Sequence, residues 1–479
     1  MIQLLTTSVS QTAIGSEEGE NTMATAASTP KSILPWERLD AAVGGEVILP
    51  QHPRYNEFRQ VWNGMIDRRP AAIARCRSAE DVAAAVQFAR AEGLGIAVRG
   101  GGHNAAGLAT IDDGLVIDLS AMNQIAVDPE RRIAQAGGGA TWGDFDAATQ
   151  AHSLATTGGA ISMTGIAGLT LGGGLGYLMR LYGLACDNLI AAEVVLADGA
   201  LVSASERERP ELLWGLRGGG GNFGVVTAFT FRLHPLTEMY AGMLIHPRER
   251  AAEALRWFRE QTADAPDALT TFCGLLSAPD GTPVVGFVPA FAGSAADGEA
   301  AVAGYRAFGE PIADMVGPMP YVALQRIMDE AFAPGPAVYW RSHFLTGLPD
   351  AAIEILVRGA NAAPSPMSAV LFEHLGGAIA RIDPDSAAFD HRGAEYNMAI
   401  IARWLDPADA DANIAWAREL WEATQPYARG VYVNYLGVGD TPERVRAAYN
   451  PRTYARLAAL KRQYDPDNVF HRNQNIPPA

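Results

Sequence analysis

The chain has 479 residues, with 37 basic and 53 acidic side chains and a formal charge of −16. That length accommodates one large domain or two to three ordinary ones, and an isoelectric point near 5.0 argues against nucleic acid or a membrane surface as the main partner, since both need a basic face. A 48% hydrophobic share and a mean hydropathy of +0.02 describe a globular chain, and no run approaches the roughly 18 apolar residues of a spanning helix.

Residues 1–33 are rich in Ser, Thr, Ala and Glu and lack a basic or an apolar region. They are expected to be a disordered tail rather than a signal peptide, with Met23 standing as an alternative start. Order begins near Trp36. Ser78-Ala-Glu-Asp81 has capping-box form, and Val82, Ala85, Val86 and Ala89 follow at helical spacing until Gly93 ends the helix. A strand is expected over Gly95–Arg99, then short strands at 115–119, 124–127 and 132–136, a helix at 142–152 and a glycine-dense stretch at 158–176. Residues 189–204 read as a hairpin turning at Asp198-Gly199. Pro210 opens a helix over 210–217, and Val225–Leu233 is a long strand.

From 237 to 425 the texture changes. Strand candidates at 241–246, 268–276, 283–290, 369–374 and 396–404 alternate with helices at 249–262, 296–308 and 410–424, and a second hairpin turns at Asp280-Gly281. That pattern predicts an antiparallel sheet backed by helices, a separate unit facing the substrate. An aromatic strand (Val431–Leu436), a helix at 451–463 and a polar tail complete the chain, with no internal repeat. The fold class is α+β.

Lys31 and Lys461 are the only lysines, so no Gly-Lys-Ser/Thr phosphate loop exists and almost no Schiff-base candidate is left. Cys76, Cys186 and Cys273 are too far apart for a CxxC pair, which fits a reducing cytoplasm. No His-Glu-x-x-His occurs and the nine histidines are scattered, so no metal is expected. Gly219-Gly-Gly221-Asn-Phe-Gly224 matches GxGxxG in form. A dinucleotide fingerprint needs a strand before it and a helix after, and here the order is reversed.

Arg99-Gly-Gly-Gly-His103-Asn104 is more telling. A strand running into three glycines can line an anion site with backbone N–H groups, and one histidine emerges from it. A glycine-rich turn with an incidental histidine explains the same residues. Gly158-Gly159, Thr164-Gly165-Ile-Ala-Gly168 and Leu171-Gly172-Gly-Gly174-Leu-Gly176 form a second site of close backbone approach, again with a plain structural loop as the alternative. So many glycines in one stretch cost considerable backbone entropy, which a flat or phosphorylated ligand explains better than turns do. Together these loops indicate a large nucleotide-like cofactor held by backbone, without lysine and without a Rossmann crossover.

Ile73-Ala-Arg-Cys-Arg-Ser-Ala-Glu-Asp-Val82, Val98-Arg-Gly-Gly-Gly-His-Asn104, Leu171–Gly176, Tyr182-Gly-Leu-Ala-Cys-Asp-Asn188 and Gly220-Gly-Asn-Phe-Gly-Val-Val-Thr227 carry a resemblance. With Tyr432-Val-Asn-Tyr435 and Tyr464-Asp-Pro-Asp-Asn-Val-Phe-His-Arg-Asn-Gln-Asn-Ile476, they resemble the FAD-linked oxidases of the berberine-bridge-enzyme-like branch of the vanillyl-alcohol-oxidase (PCMH-type) flavoproteins. The match covers about residues 50–236 and 430–478, and the middle of the chain matches loosely.

The resemblance implies a two-domain flavoprotein. Its FAD-binding domain of two α+β subdomains would span 34–236, with 426–479 returning to it, and 237–425 would form the substrate domain. His103 would be the covalent flavin anchor. A second link from a cysteine upstream of the GGG stretch, common in the family, has no counterpart near Ile161, so a single bond is expected. Arg99, Gly100, Gly101, Gly102, His103, Asn104 and Gly107 would wrap the pyrophosphate. Thr164, Gly165, Gly168, Gly172, Gly173 and Gly174 would line the ADP and flavin path. Asn188, Asn222, Gly224 and Val226 would follow the adenine side, and Asn475 would close the pocket.

By the same resemblance Tyr435 would be the catalytic base, with Tyr432 and Asn434 as helpers, although a phenol near pKa 10 needs tuning to act at neutral pH. Glu373, His374, His391 and Tyr396 are further candidates for the pocket wall, each more readily explained as core or surface. The expected enzyme oxidises a small alcohol, sugar or phenolic substrate and reduces O2 to hydrogen peroxide. An amine oxidase of the hydroxynicotine type, or a dehydrogenase using another acceptor, is the alternative. A nicotinamide-dependent reductase and a catalytically silent flavin binder are the rivals from other classes. A monomer or homodimer in the cytoplasm, without nucleic acid or membrane partners, completes the expectation.

Overall fold

Three sheets and their covering helices carry most of the architecture in the computed structural model, which describes residues 34–479. The expected tail, 1–33, lies outside the described residues, and Trp36–Ala479 forms one compact unit. In the first sheet the strands Glu46–Ile48, Ala72–Arg75, Leu115–Asp118 and Ile96–Arg99 lie side by side. The last three run parallel, because the helix Ala79–Ala91 carries the chain back between two of them. The Ser78 side chain accepts the Asp81 N–H at the start of that helix, and Val82, Ala85, Val86 and Ala89 are buried beneath it.

The second sheet is antiparallel, ordered Ile125–Asp128, Ile133–Gly137, Val225–Arg232, Leu189–Val195 and Leu201–Ser205, with the hairpin at Asp198-Gly199 as expected. The third sheet, nine-stranded, is also antiparallel and is built from residues 239–404. Its central strands are Leu269–Ser277, Ala369–His374 and Tyr396–Trp404. The helices Ala251–Ala263, Ala295–Arg306, Asp350–Asn361 and Ala410–Thr424 seal one face through Phe258, Tyr305, Leu356 and Leu420.

Two elements of this region escape the sequence patterns. Ala337–Leu345 is a strand paired along its whole length with Tyr396–Trp404, yet it carries Arg341, Ser342 and His343, all buried. A strand covered on both faces has no alternation to betray it. The helix Asp350–Asn361 follows it.

Val431–Leu436 is not a strand. It forms a single 3-10 turn over Val433–Tyr435, closed by the Tyr435 N–H on the Tyr432 carbonyl (2.9 Å). Aromatic and β-branched residues there signal burial rather than pairing. The difference matters for the site, because a strand would send residues 432 and 435 to opposite faces, whereas a turn of three residues per revolution eclipses them. The two rings accordingly meet at 5.0 Å between centroids.

One buried carboxyl lies between the helix Trp142–Gln150 and the segment after Tyr321–Leu324. Asp146 Oδ2 accepts from Gln325 Nε2 (2.7 Å), and Oδ1 has no partner among the described residues. Burial pushes its pKa up to about 8, against 3.8 ordinarily. Such a group adds stability that is whole below pH 3.8 and is lost as pH rises through about 8. Asp146→Asn is therefore expected to melt a few degrees above the wild type at pH 9, to keep about half of that advantage near pH 6 and to lose it only towards pH 4, read by thermal melts across that range.

Candidate functional site

The glycine loops come together around one cavity of about 300 Å³. The strand Ile96–Arg99 opens into Gly100–Asn104 on one wall, and Thr164, Gly165 and Gly168 form the next. Gly220, Gly221, Gly224 and Val226 make a third, and the C-terminal stretch Arg472–Gln474 closes the mouth. Gly101 and Gly165 touch backbone to backbone: a Cβ on Gly101 would lie 2.6 Å from the Gly165 Cα, and one on Gly165 would lie 2.8 Å from the Gly101 Cα. Gly102 has a φ of +67°, in the left-handed region, which turns the chain so that His103 follows into the cavity. Gly168 and Gly221 have no atom within 4 Å of where a Cβ would stand, so they present bare backbone to open space.

Several residues expected at the cofactor have other work. Arg99 donates to the buried carboxylate of Asp118 (2.6 Å) and to the Phe58 carbonyl, which anchors the root of the loop. Asn104 lines the cavity but its Oδ1 accepts from the Ala106 and Leu108 N–H groups, shaping the following turn. Gly107 packs under Ile66. Gly172, Gly173 and Gly174 do not line the cavity; they admit Asn434, Phe389 and Ala185 against the backbone. Asn188 donates to the Tyr182 and Leu184 carbonyls, and Asn222 ties Gly219 to the C-terminal Gln474 and Ile476, so both brace loops from behind. Asn475 is outside the lining, with its Oδ1 buried and without a partner among the described residues.

His103 is a neutral imidazole at the cavity wall. Burial is the main cause of a pKa pushed down to about 4, and Nε2 is buried with no hydrogen-bond partner among the described residues. Its ring lies face to face on Trp62, with centroids 4.4 Å apart and planes 20° apart. Arg472 also lines the cavity, donating Nε to the Thr110 carbonyl while Nη2 is buried without a partner among the described residues.

On the far side stand Glu373, Trp340 and the turn Val433–Tyr435. The Tyr435 hydroxyl donates to Glu373 Oε1 (2.8 Å), and Asn397 Nδ2 donates to Oε2 (2.6 Å). Burial raises Glu373 to about 7, held from going higher by these two donors. Tyr435 goes well above the ordinary phenol, first through burial and then through the Glu373 charge. The Tyr432 hydroxyl accepts from the Gly174 N–H and from Asn434 Nδ2, each at 2.8 Å, so it pins the glycine loop to the C-terminal turn.

Of the four further candidates, Glu373 alone reaches the cavity. His374, its neighbour on the strand, points to the opposite face, against Arg180 Nη1 (3.0 Å). His391 meets the Ala447 carbonyl at 3.2 Å, and the Tyr396 hydroxyl pairs with Thr262 at 2.7 Å. Trp62, Trp340, Asn397 and Arg472 carried no signal of their own in the sequence, although Arg472 sits inside the C-terminal signature.

With the cavity, its glycine loops and its C-terminal closure described, the comparisons with known proteins place the chain in a family. Residues 70–205 match the family model described as FAD binding domain, and 431–477 match that described as berberine and berberine like. The (R)-6-hydroxynicotine oxidase of Paenarthrobacter nicotinovorans is 34% identical over 460 residues, covering 91% of this chain and 97% of the relative. An FAD-linked oxidoreductase of Dictyostelium discoideum is 33% identical over 423 residues, covering 87% and 91%. The crystal structure of 6-hydroxy-D-nicotine oxidase from Arthrobacter nicotinovorans superposes with a TM-score of 0.85 at 31% identity, covering 91% of this chain and 98% of that one. The chain belongs to the berberine-bridge-enzyme-like family of FAD-linked oxidoreductases.

It is an enzyme, and its cofactor is FAD. The residues fit that group: a wall of bare glycine backbone suits close approach by a flat ring or a phosphate, the orphaned Arg472 Nη2 suits an anion, and the orphaned His103 Nε2 suits a partner in the cavity.

Proposed function

We propose that the protein oxidises a small organic substrate, an alcohol or sugar at its hydroxyl-bearing C–H carbon or a phenolic compound at a benzylic C–H carbon, with Glu373 as the acceptor of the hydroxyl proton and O2 as the electron acceptor. The carrying observation is the buried Glu373 carboxylate, raised to about 7 and facing the cavity of the glycine loops with Tyr435 donating to it. A base with a pKa near the working pH is effective in proton transfer, whereas a phenol held above 10 is not. Tyr435 orients Glu373 and hands its hydrogen bond over to the substrate oxygen, and Trp340 walls the space 4.6 Å from Tyr435. Bound FAD supplies a two-electron acceptor for the adjacent C–H bond. Residues 34–236 with 426–479 would hold the cofactor and 237–425 the substrate.

Glu373 also supports a second reading. Its hydrogen-bond donors are neutral, so an ammonium group would find an uncompensated carboxylate against aromatic walls, as an amine oxidase requires. Screening alcohols, sugars, phenols and secondary amines for anaerobic bleaching of the flavin, then for peroxide release in air, separates the two classes. Bleaching without peroxide would leave a dehydrogenase.

His103 is proposed as the single covalent flavin anchor. The free cysteines Cys76, Cys186 and Cys273 are all buried and line none of the cavity, which supports one bond and a reducing compartment such as the cytoplasm. Acid-precipitated wild type is expected to stay yellow, with the adduct on the peptide carrying His103, and His103→Ala is expected to release all its FAD. Complete release from the wild type would remove the anchor.

A further inference from the structure

Trp62 and Asn63 belong to no helix or strand, yet they fasten the glycine loop to the third sheet. The Trp62 N–H donates to the Gly102 carbonyl (3.1 Å) and its indole Nε1–H to the Phe332 carbonyl (2.7 Å), while the Gly335 N–H donates to the Trp62 carbonyl (3.3 Å). Asn63 Nδ2 donates to the carbonyls of Ala105 (2.6 Å) and Val338 (2.9 Å), and its Oδ1 accepts the Val338 N–H (2.9 Å). The chain is thus held on both sides of His103, at Gly102 and Ala105, by two residues that also grip the start of the strand carrying Trp340. Between these ties the buried Trp62 ring lies on the His103 imidazole, and its centroid is 6.2 Å from that of Trp340. The face contact therefore holds a ring whose Nε2 makes no hydrogen bond among the described residues.

We infer that Trp62 is a positioning residue for flavin attachment, its indole face fixing the plane of the His103 imidazole while its main-chain bonds to Gly102 and Gly335 hold the residue in place beside that ring. The inference rests on His103 being the anchor. Attachment joins an imidazole nitrogen to the flavin 8α-carbon. One proton leaves that carbon and one leaves the imidazole, and two electrons pass by way of the ring system to O2, which takes up both protons as hydrogen peroxide. An imidazole free to turn presents its nitrogen only part of the time, and misplacement of a reacting atom by about 1 Å costs up to about 100-fold in rate.

The test compares wild type, Trp62→Phe and Trp62→Leu, each produced as apoprotein in a riboflavin-starved host and then incubated with FAD in air. Acid-stable flavin is followed over time, with FAD affinity and melting temperature measured separately. The Leu variant keeps an apolar side chain at this position but has no stacking face. It is expected to bind FAD within about threefold of wild type and to attach it roughly 10- to 100-fold more slowly, while the Phe variant attaches at close to the wild-type rate. Wild-type attachment in the Leu variant overturns the inference. Equal slowing in Phe and Leu assigns the effect to the lost bond to Phe332 and overturns the stacking role. Loss of FAD binding or of the fold in both variants makes Trp62 a packing residue and overturns it too. A wild type without acid-stable flavin is recognised before any variant is measured, and it removes the anchor reading itself.

Discussion

Glu373→Gln is expected to lower kcat/KM by about 10²- to 10⁴-fold with FAD still bound, because the amide keeps the shape of the side chain and loses the proton acceptor. The wild-type pH profile carries the same information. Glu373 is raised to about 7, so kcat/KM is expected to climb with pH through that value as the carboxylate forms, and this limb is expected to vanish in the Gln variant. Tyr435→Phe tests the partner. The Tyr435 hydrogen bond lowers the Glu373 pKa, so its removal is expected to move the acid limb to higher pH rather than abolish activity. A Glu373→Gln enzyme within about threefold of wild type, beside a dead Tyr435→Phe enzyme, would instead return the base to the tyrosine. Stability moves in the opposite sense to activity. The contribution of Glu373 is whole below the ordinary 4.5 and is lost as pH rises through about 7, so the Gln variant is expected to melt above the wild type at pH 8.

Gly101→Ala is expected to yield protein with a clearly reduced flavin content. The added Cβ would overlap the Gly165 backbone, and no side chain is there to swing aside, so the two loops must separate. Overpacking of this kind costs about 1–3 kcal/mol, and here the strain falls on two walls of the cavity. By the arithmetic of tenfold per 1.4 kcal/mol, FAD affinity is expected to fall by roughly 10- to 100-fold. Gly165→Ala meets the same obstacle from the other side. Gly347→Ala, with open space around its Cβ, is expected to leave colour and melting temperature unchanged. The ratio of flavin to protein absorbance in the purified variants decides the matter. A fully yellow Gly101→Ala protein would show that the loops tolerate separation.

Much of this site was legible in the chain itself. The run Gly100-Gly-Gly-His103 reveals its backbone conformation because glycine is the residue that accepts both a φ of +67° at Gly102 and the contact at Gly101. Helix starts such as Ser78 and hairpins such as Asp198-Gly199 are equally local, set by a side chain and a backbone a few residues apart. Asn188, Asn222 and Arg99 show where such reading stops. They occur within motifs expected at the cofactor, but whether a motif residue faces the cavity or braces a loop from behind depends on what packs on its other side.

The sequence by itself determined an acidic α+β chain with glycine loops for a backbone-held cofactor, a histidine set among them and a tyrosine pair near the C-terminus. Each of these follows from residue type and short spacing. Only the tertiary structure decided that Val431–Leu436 is a turn rather than a strand, that Tyr435 meets Glu373, and that Trp62 covers His103. The reason is physical. The pKa of a carboxylate and the plane of an imidazole are set by burial and by neighbours dozens or hundreds of residues away in the chain. Spacing along the sequence carries no record of either.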